Sequence, residues 1–173
     1  MSARSSAMPT SLCKSLFAAV AFFFTAYAFA YPAVGDKVEW AGSIDRLDGT
    51  STEIKVVKEV LGHDTVTKKW TIKKDVTINS ETTSETKLED SLYSPEQYQQ
   101  TIANCESNSG KIEEITVPAG TFKSCMLTTI GSDGTVDEKW WGDVPYGVVR
   151  RNLTEGTKGA TTKLDLNSII NGL

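Results

Sequence analysis

The residues able to do chemistry are few, and their spacing excludes more than it assigns. His63 is the only histidine. It stands in Leu-Gly-His-Asp, a turn signal between two β-type runs, where an exposed polar side chain is ordinary. A hydrolase would need it beside an activated nucleophile, and the chain has no Gly-x-Ser-x-Gly elbow, which leaves a hydrolase as a remote alternative. Carboxylates pair at Asp45/Asp48, Glu113/Glu114 and Asp137/Glu138. Neighbours on a strand point to opposite faces, so the two adjacent pairs cannot face each other across a cleft as glycoside hydrolysis requires. Asp45 and Asp48 before Gly49 lack the oxygen-rich loop of a calcium site. The reading is a non-catalytic protein without metal or cofactor.

Three cysteines carry the remaining reactive chemistry, and their location decides it. Cys13 falls in an opening segment with the marks of a secretory signal peptide: Arg4 and Lys14, then the apolar run LFAAVAFFFTAYAFA, closing on Ala28-Phe29-Ala30. That run is shorter than the ~20 residues of a spanning helix. We therefore expect cleavage after Ala30, leaving residues 31–173 as a single β-rich domain exported to the periplasm or the medium, with no stable transmembrane anchor. Cys105 and Cys125 remain, and an isolated pair in an oxidising compartment is expected to form a disulfide. Two cysteines and one distant histidine cannot assemble a closed zinc site.

The expected mature chain carries all 22 acidic residues but lacks Arg4 and Lys14 among the 18 basic ones, so its formal charge is −6. No basic run of the density that nucleic acid requires is present.

Strands must position what is left. Val38 and Trp40 alternate from about Lys37, then Ile54, Val56 and Val60, then Val66, Trp70, Ile72, Val76 and Ile78 in the longest series. Alternation of period two marks antiparallel strands with one buried face. Lys58 and Lys68 interrupt the apolar face and are expected at a rim, where the amines reach water. The stretch from Ile78 to Leu92 turns polar, and 83–88 reads equally as edge strand or loop. Ser94-Pro95-Glu96-Gln97 is a capping box with proline at the first helical position, with Tyr93 and Tyr98 at the positions of a hydrophobic staple. Tyr98, Ile102 and Cys105 form one stripe, so the disulfide should pin the last helical turn to a strand.

Beyond the helix, Ile115 and Val117 lead to Pro118-Ala119-Gly120, a tight turn or bulge. Phe122, Met126 and Ile130 then share a face opposite Cys125 and Leu127. A hairpin at Ser132-Asp133-Gly134 leads to Trp140 and Trp141. Val144-Pro145-Tyr146-Gly147 breaks the run, and strands follow at 148–153 and 161–166. The fold class is α+β, a curved, mainly antiparallel sheet of half-barrel type with one main helix packed against it.

VPAGTFKSC at 117–125, with KWW and then VPYGVVRR at 144–151, resembles a group of small exported bacterial proteins of unknown function that includes TapB-like proteins. The resemblance covers roughly Cys105 to Arg151 and carries no activity. It implies a half-barrel similar in fold to the LolA-type lipoprotein carriers. Tryptophans on such a sheet fill its core, or they line a concave face that takes a lipid, another apolar ligand or an envelope protein. Trp70, Phe122, Met126, Trp140 and Trp141 are the candidates for that face. The alternative is a structural envelope component that docks through a sheet edge or its outer face.

Overall fold

The computed structural model describes residues 31–157 and 159–172; the expected signal peptide, Cys13 included, lies outside them. The strands are β1 (Lys37–Asp45), β2 (Ser51–His63), β3 (Trp70–Ile78), β4 (Glu81–Glu89), β5 (Lys111–Val117), β6 (Gly120–Ile130), β7 (Val136–Trp141), β8 (Val148–Thr154) and β9 (Thr161–Ile170). The helix α1 (Pro95–Ala103) stands between β4 and β5.

All nine strands form one sheet in the order β4-β3-β2-β1-β9-β8-β7-β6-β5. Every pairing is antiparallel. The first and last strands are neighbours in the middle, and the free edges β4 and β5 are joined by the segment that carries α1. The sheet is open and curved, as the α+β half-barrel expectation requires. Side chains of β4 and β7 border the same cavity, although in a flat sheet those strands would stand about 29 Å apart at their usual spacing.

The polar stretch is resolved in favour of a strand. β4 pairs with β3 along its whole length, from Ile78↔Glu81 to Trp70↔Glu89. Its side chains are almost all exposed, which explains why it shows no apolar alternation. Val66 is not part of β3 but sits in the preceding turn, exposed. β9 runs four residues further than the 161–166 expected, pairing with β1 as far as Lys37↔Ile170.

A local parting of two strands organises the core. β8 pairs with β9 only from Thr154↔Thr161 to Arg150↔Asp165. Beyond that point, Ala119 in the β5–β6 turn donates its amide to the Leu166 carbonyl, and Trp40 Nε1 donates to the Val148 carbonyl. The Pro118-Ala119 turn and the Trp40 indole thus supply hydrogen bonds that the strands no longer give each other. Around it Val38, Trp40, Ile115, Val117, Trp140, Val144, Val149 and Leu166 form the buried cluster. Each fully buried aliphatic side chain there stabilises by about 1.5–3 kcal/mol. Gly42 permits the close approach of β1 and β9, since a Cβ would stand 1.7 Å from the Lys163 carbonyl oxygen.

The helix begins as its sequence dictates. Ser94 Oγ accepts from the Gln97 amide, the Gln97 side chain accepts from the Ser94 amide, and Pro95 follows the cap. Losing such a cap costs about 1 kcal/mol. The helix ends at Ala103, so Cys105 lies just beyond it, in a turn, and not in its last turn. The Cys105–Cys125 disulfide is formed, with both cysteines fully buried.

Candidate functional site

One face of the sheet carries a cavity of about 590 Å³, within the range of small-ligand sites. Its geometry follows from strand register. On β2 the residues Ile54, Val56, Lys58 and Val60 share a face. Across the ladder they oppose Ile78, Val76, Lys74 and Ile72 of β3. On the other side of β1 the same face continues through Leu164 of β9 to Arg151 of β8 and Lys139 of β7, by the pairings Gly42↔Leu164, Leu164↔Arg151 and Arg151↔Lys139. Curvature brings these two halves to face each other.

The floor is apolar, with Trp40, Val56, Val76, Val148 and Leu164, and the walls are charged. Lys58, Lys74, Lys87, Lys139 and Arg151 border the cavity against only Glu85 and Glu89. Lys58 and Lys74 stand directly opposite each other on adjacent strands, as do Lys139 and Arg151. Like charges in that relation repel. Glu85 lies 3.1 Å from Lys74 and 3.2 Å from Lys87. Asp137 takes Lys139 and Arg151, each at 2.8 Å. Burial pushes the Asp137 carboxyl up, but the hydrogen bonds from Arg151 and Lys139 more than offset this, and it titrates below its ordinary value.

Lys58 is the exception, because among the described residues it makes no ion pair. It is half-buried and lines the cavity, whereas its place in the sequence suggested a rim. Its amine lies 5.3 Å from the centre of the Tyr146 ring, a cation–π contact. Desolvation, and then the nearby Lys74, hold its pKa below the usual lysine value. The turn that presents Tyr146 is unusual. Gly147 N donates to the Val144 carbonyl, with Pro145 and Tyr146 between them and φ of +64° at Tyr146. That is the arrangement of a type II turn, whose third position favours glycine. A tyrosine is held there instead, its ring edge-on to Trp40 with centroids 6.3 Å apart.

The sequence candidates separate over this structure. Trp141 lines the cavity. It also packs at a tilt on Tyr93, the residue before the helix cap, with ring centroids 5.6 Å apart, and is the cross-strand partner of Cys125. The disulfide and α1 therefore adjoin the same side of the sheet as the cavity, with Trp141 as the wall between them. Phe122, Met126 and Trp140 lie outside the cavity. Phe122 and Met126 sit on the face of β6 opposite Cys125, against the core, and Trp140 is part of it. The Trp140 indole donates to Glu113, and Arg150 lies over its ring at 5.9 Å. Trp70 stacks on His63 at 4.1 Å where β2 meets β3 and does not line the cavity. Lys58 and Tyr146 were not among the candidates, and Trp40, weighed with the other three tryptophans, was not assigned to the concave face. The signal for Lys58 was its intrusion into an apolar alternation, and for Tyr146 a bulky residue at a turn position suited to glycine.

The polar candidates are taken up by the chain itself. Ser51 and then Lys163 hydrogen-bond to Asp45 and hold its carboxyl down at about 2, and Asp48 accepts from Thr50. Among the described residues no group of three or more His, Cys, Asp or Glu is placed to hold a metal ion. No helix among them is long and apolar enough to cross a membrane.

No protein-family model matches the sequence, and no curated protein matches it. Among solved structures, the chain is similar to a candidate exported protein with a YmcC-like fold from Bacteroides fragilis. The identity is 13%, the TM-score 0.50, and the match covers 83% of this chain and 100% of the other. What the two share at that identity is the fold: an open, curved antiparallel sheet with a short helix.

Proposed function

We propose that this chain is an exported, non-catalytic binding protein that holds an apolar ligand against the concave face of its sheet. The observation that carries this reading is the cavity of about 590 Å³, floored by Trp40, Val56, Val76, Val148 and Leu164 and walled on one side by Trp141. Apolar side chains converging on a concavity of this size are the usual form of a small-ligand site. The disulfide and the fold shared with a candidate exported protein support an oxidising location. The motif at 117–125 and 144–151 supports kinship with the TapB-like exported group it resembles.

The test is native mass spectrometry of the protein purified from its own host, followed by solvent extraction. An apolar species that co-purifies and leaves on extraction supports the reading. A bare polypeptide mass with nothing extractable overturns it.

A second reading, docking to an envelope component through a sheet edge, draws on β4, whose outer edge pairs with no described strand. Its exposed Glu81, Lys87 and Glu89 are the kind of charges that discourage strand addition, so the cavity carries the greater weight.

A further inference from the structure

Resting on the reading of the cavity as an apolar-ligand site, we infer that its ligand is a single-chain amphiphile with an anionic head group, the chain on the aromatic and aliphatic floor and the head at Lys58. Three observations point there. First, the charge is segregated. The chain as a whole is acidic, with a formal charge of −4, yet the side chains bordering the cavity carry five cations and two carboxylates.

Second, register sets cations against each other with too few anions between them. Lys58 opposes Lys74 and Lys139 opposes Arg151, all on the cavity side. Asp137 serves Lys139 and Arg151 together, and Glu85 is shared by Lys74 and Lys87. Lys58 alone of the five makes no ion pair among the described residues; Glu89 and Glu85 act on it only at a distance, each more weakly than Lys74 opposite it. Arg151 reaches it electrostatically across the cavity and adds to the repulsion. An anion between β2 and β8 would relieve both.

Third, the position of Lys58 is prepared. Tyr146 occupies a left-handed turn position that disfavours a side chain, and its ring is the surface over which the Lys58 amine rests. Backbone strain of this kind persists where the surroundings enforce it and is frequent at ligand sites. The amine is thereby held over an aromatic ring at the cavity, where a head group could reach it while the chain runs over Val56, Val76 and Leu164.

The experiment titrates the delipidated protein, following the fluorescence of Trp40 and Trp141, with dodecanoate, dodecyl phosphate, dodecanol and inorganic phosphate. Lys58→Met and Lys58→Arg are titrated alongside. We expect at least one chain-bearing anion to bind about tenfold or more tighter than dodecanol, the range of one charge-assisted hydrogen bond. Whether carboxylate or phosphate binds tighter identifies the head. Lys58→Met should abolish the preference while keeping dodecanol binding, and Lys58→Arg should retain it. Equal binding of dodecanol and the anions would overturn the head-group inference and leave the apolar-ligand reading standing. So would a preference that survives in Lys58→Met. Inorganic phosphate binding as tightly as dodecyl phosphate would overturn the requirement for a chain. No binding of any chain-bearing probe would overturn the underlying reading itself.

Discussion

Reducing the Cys105–Cys125 bond isolates one cross-link while leaving both sulfur atoms in the chain. The two cysteines are 20 residues apart, and the chain-entropy relation for a loop of that length gives about 3 kcal/mol of stabilisation. The bond also has a local task. α1 is otherwise held by the Tyr98 hydroxyl, which donates to the Lys123 carbonyl at 3.1 Å, and by Tyr93 against Trp141. Urea unfolding of oxidised and reduced protein, monitored by circular dichroism, should therefore separate by about 3 kcal/mol, or roughly 10 °C in thermal midpoint. Amide hydrogen exchange should accelerate in 95–105 beyond the global change, because the segment loses its covalent tie to β6. Cys105→Ala/Cys125→Ala should lose somewhat more than reduction does, since both sites are fully buried and truncation removes packed atoms. Coincident curves for the oxidised and reduced forms would refute the loop-entropy argument. Uniform acceleration of exchange across the molecule would refute the local tether.

Gly42→Ala should cost about 3 kcal/mol or more in chemical denaturation, because its Cβ would enter the Lys163 carbonyl and that obstacle is backbone. Gly62→Ala, where a Cβ meets nothing within 4 Å, is the control and should be close to neutral; equal effects would refute the packing argument. Asp137 has a folded-state pKa below its ordinary value of about 3.9. Its contribution is therefore present above that pH and is lost as pH falls through the folded value. Urea midpoints measured from neutral pH downward should drop below about pH 4 in the wild type. Asp137→Asn should start lower, with Arg151 and Lys139 left facing each other, and fall less across the same window. Parallel curves would sink this account.

How much could be read from residues alone depended on whether their pattern was local. The capping box at Ser94–Gln97, the turn at Pro118-Ala119-Gly120 and the pairing of Cys105 with Cys125 are written in short stretches, and the structure has them. β4 was ambiguous because an edge strand wet on both faces has no apolar period to display. The side on which each tryptophan falls was not legible. It depends on the shift of register between Trp140 and Trp141 and on the direction in which the whole sheet curls. Lys58 shows the same limit. Alternation puts it on the apolar face, but only the opposite wall, supplied by β7 and β8 far along the chain, turns that face into an interior.

The order of strands has a consequence for when this molecule can exist. β1–β4 and β5–β8 are two meanders, each contiguous in the chain, and β9 is inserted between them. Its pairing with β1 joins Lys37 to Ile170, a closure across almost the whole described chain, of the long-range kind that makes β folding slow. Without β9, β1 and β8 would each be a naked edge open to foreign strands. The last strand acts as a timer. The nine-stranded sheet cannot close until it arrives.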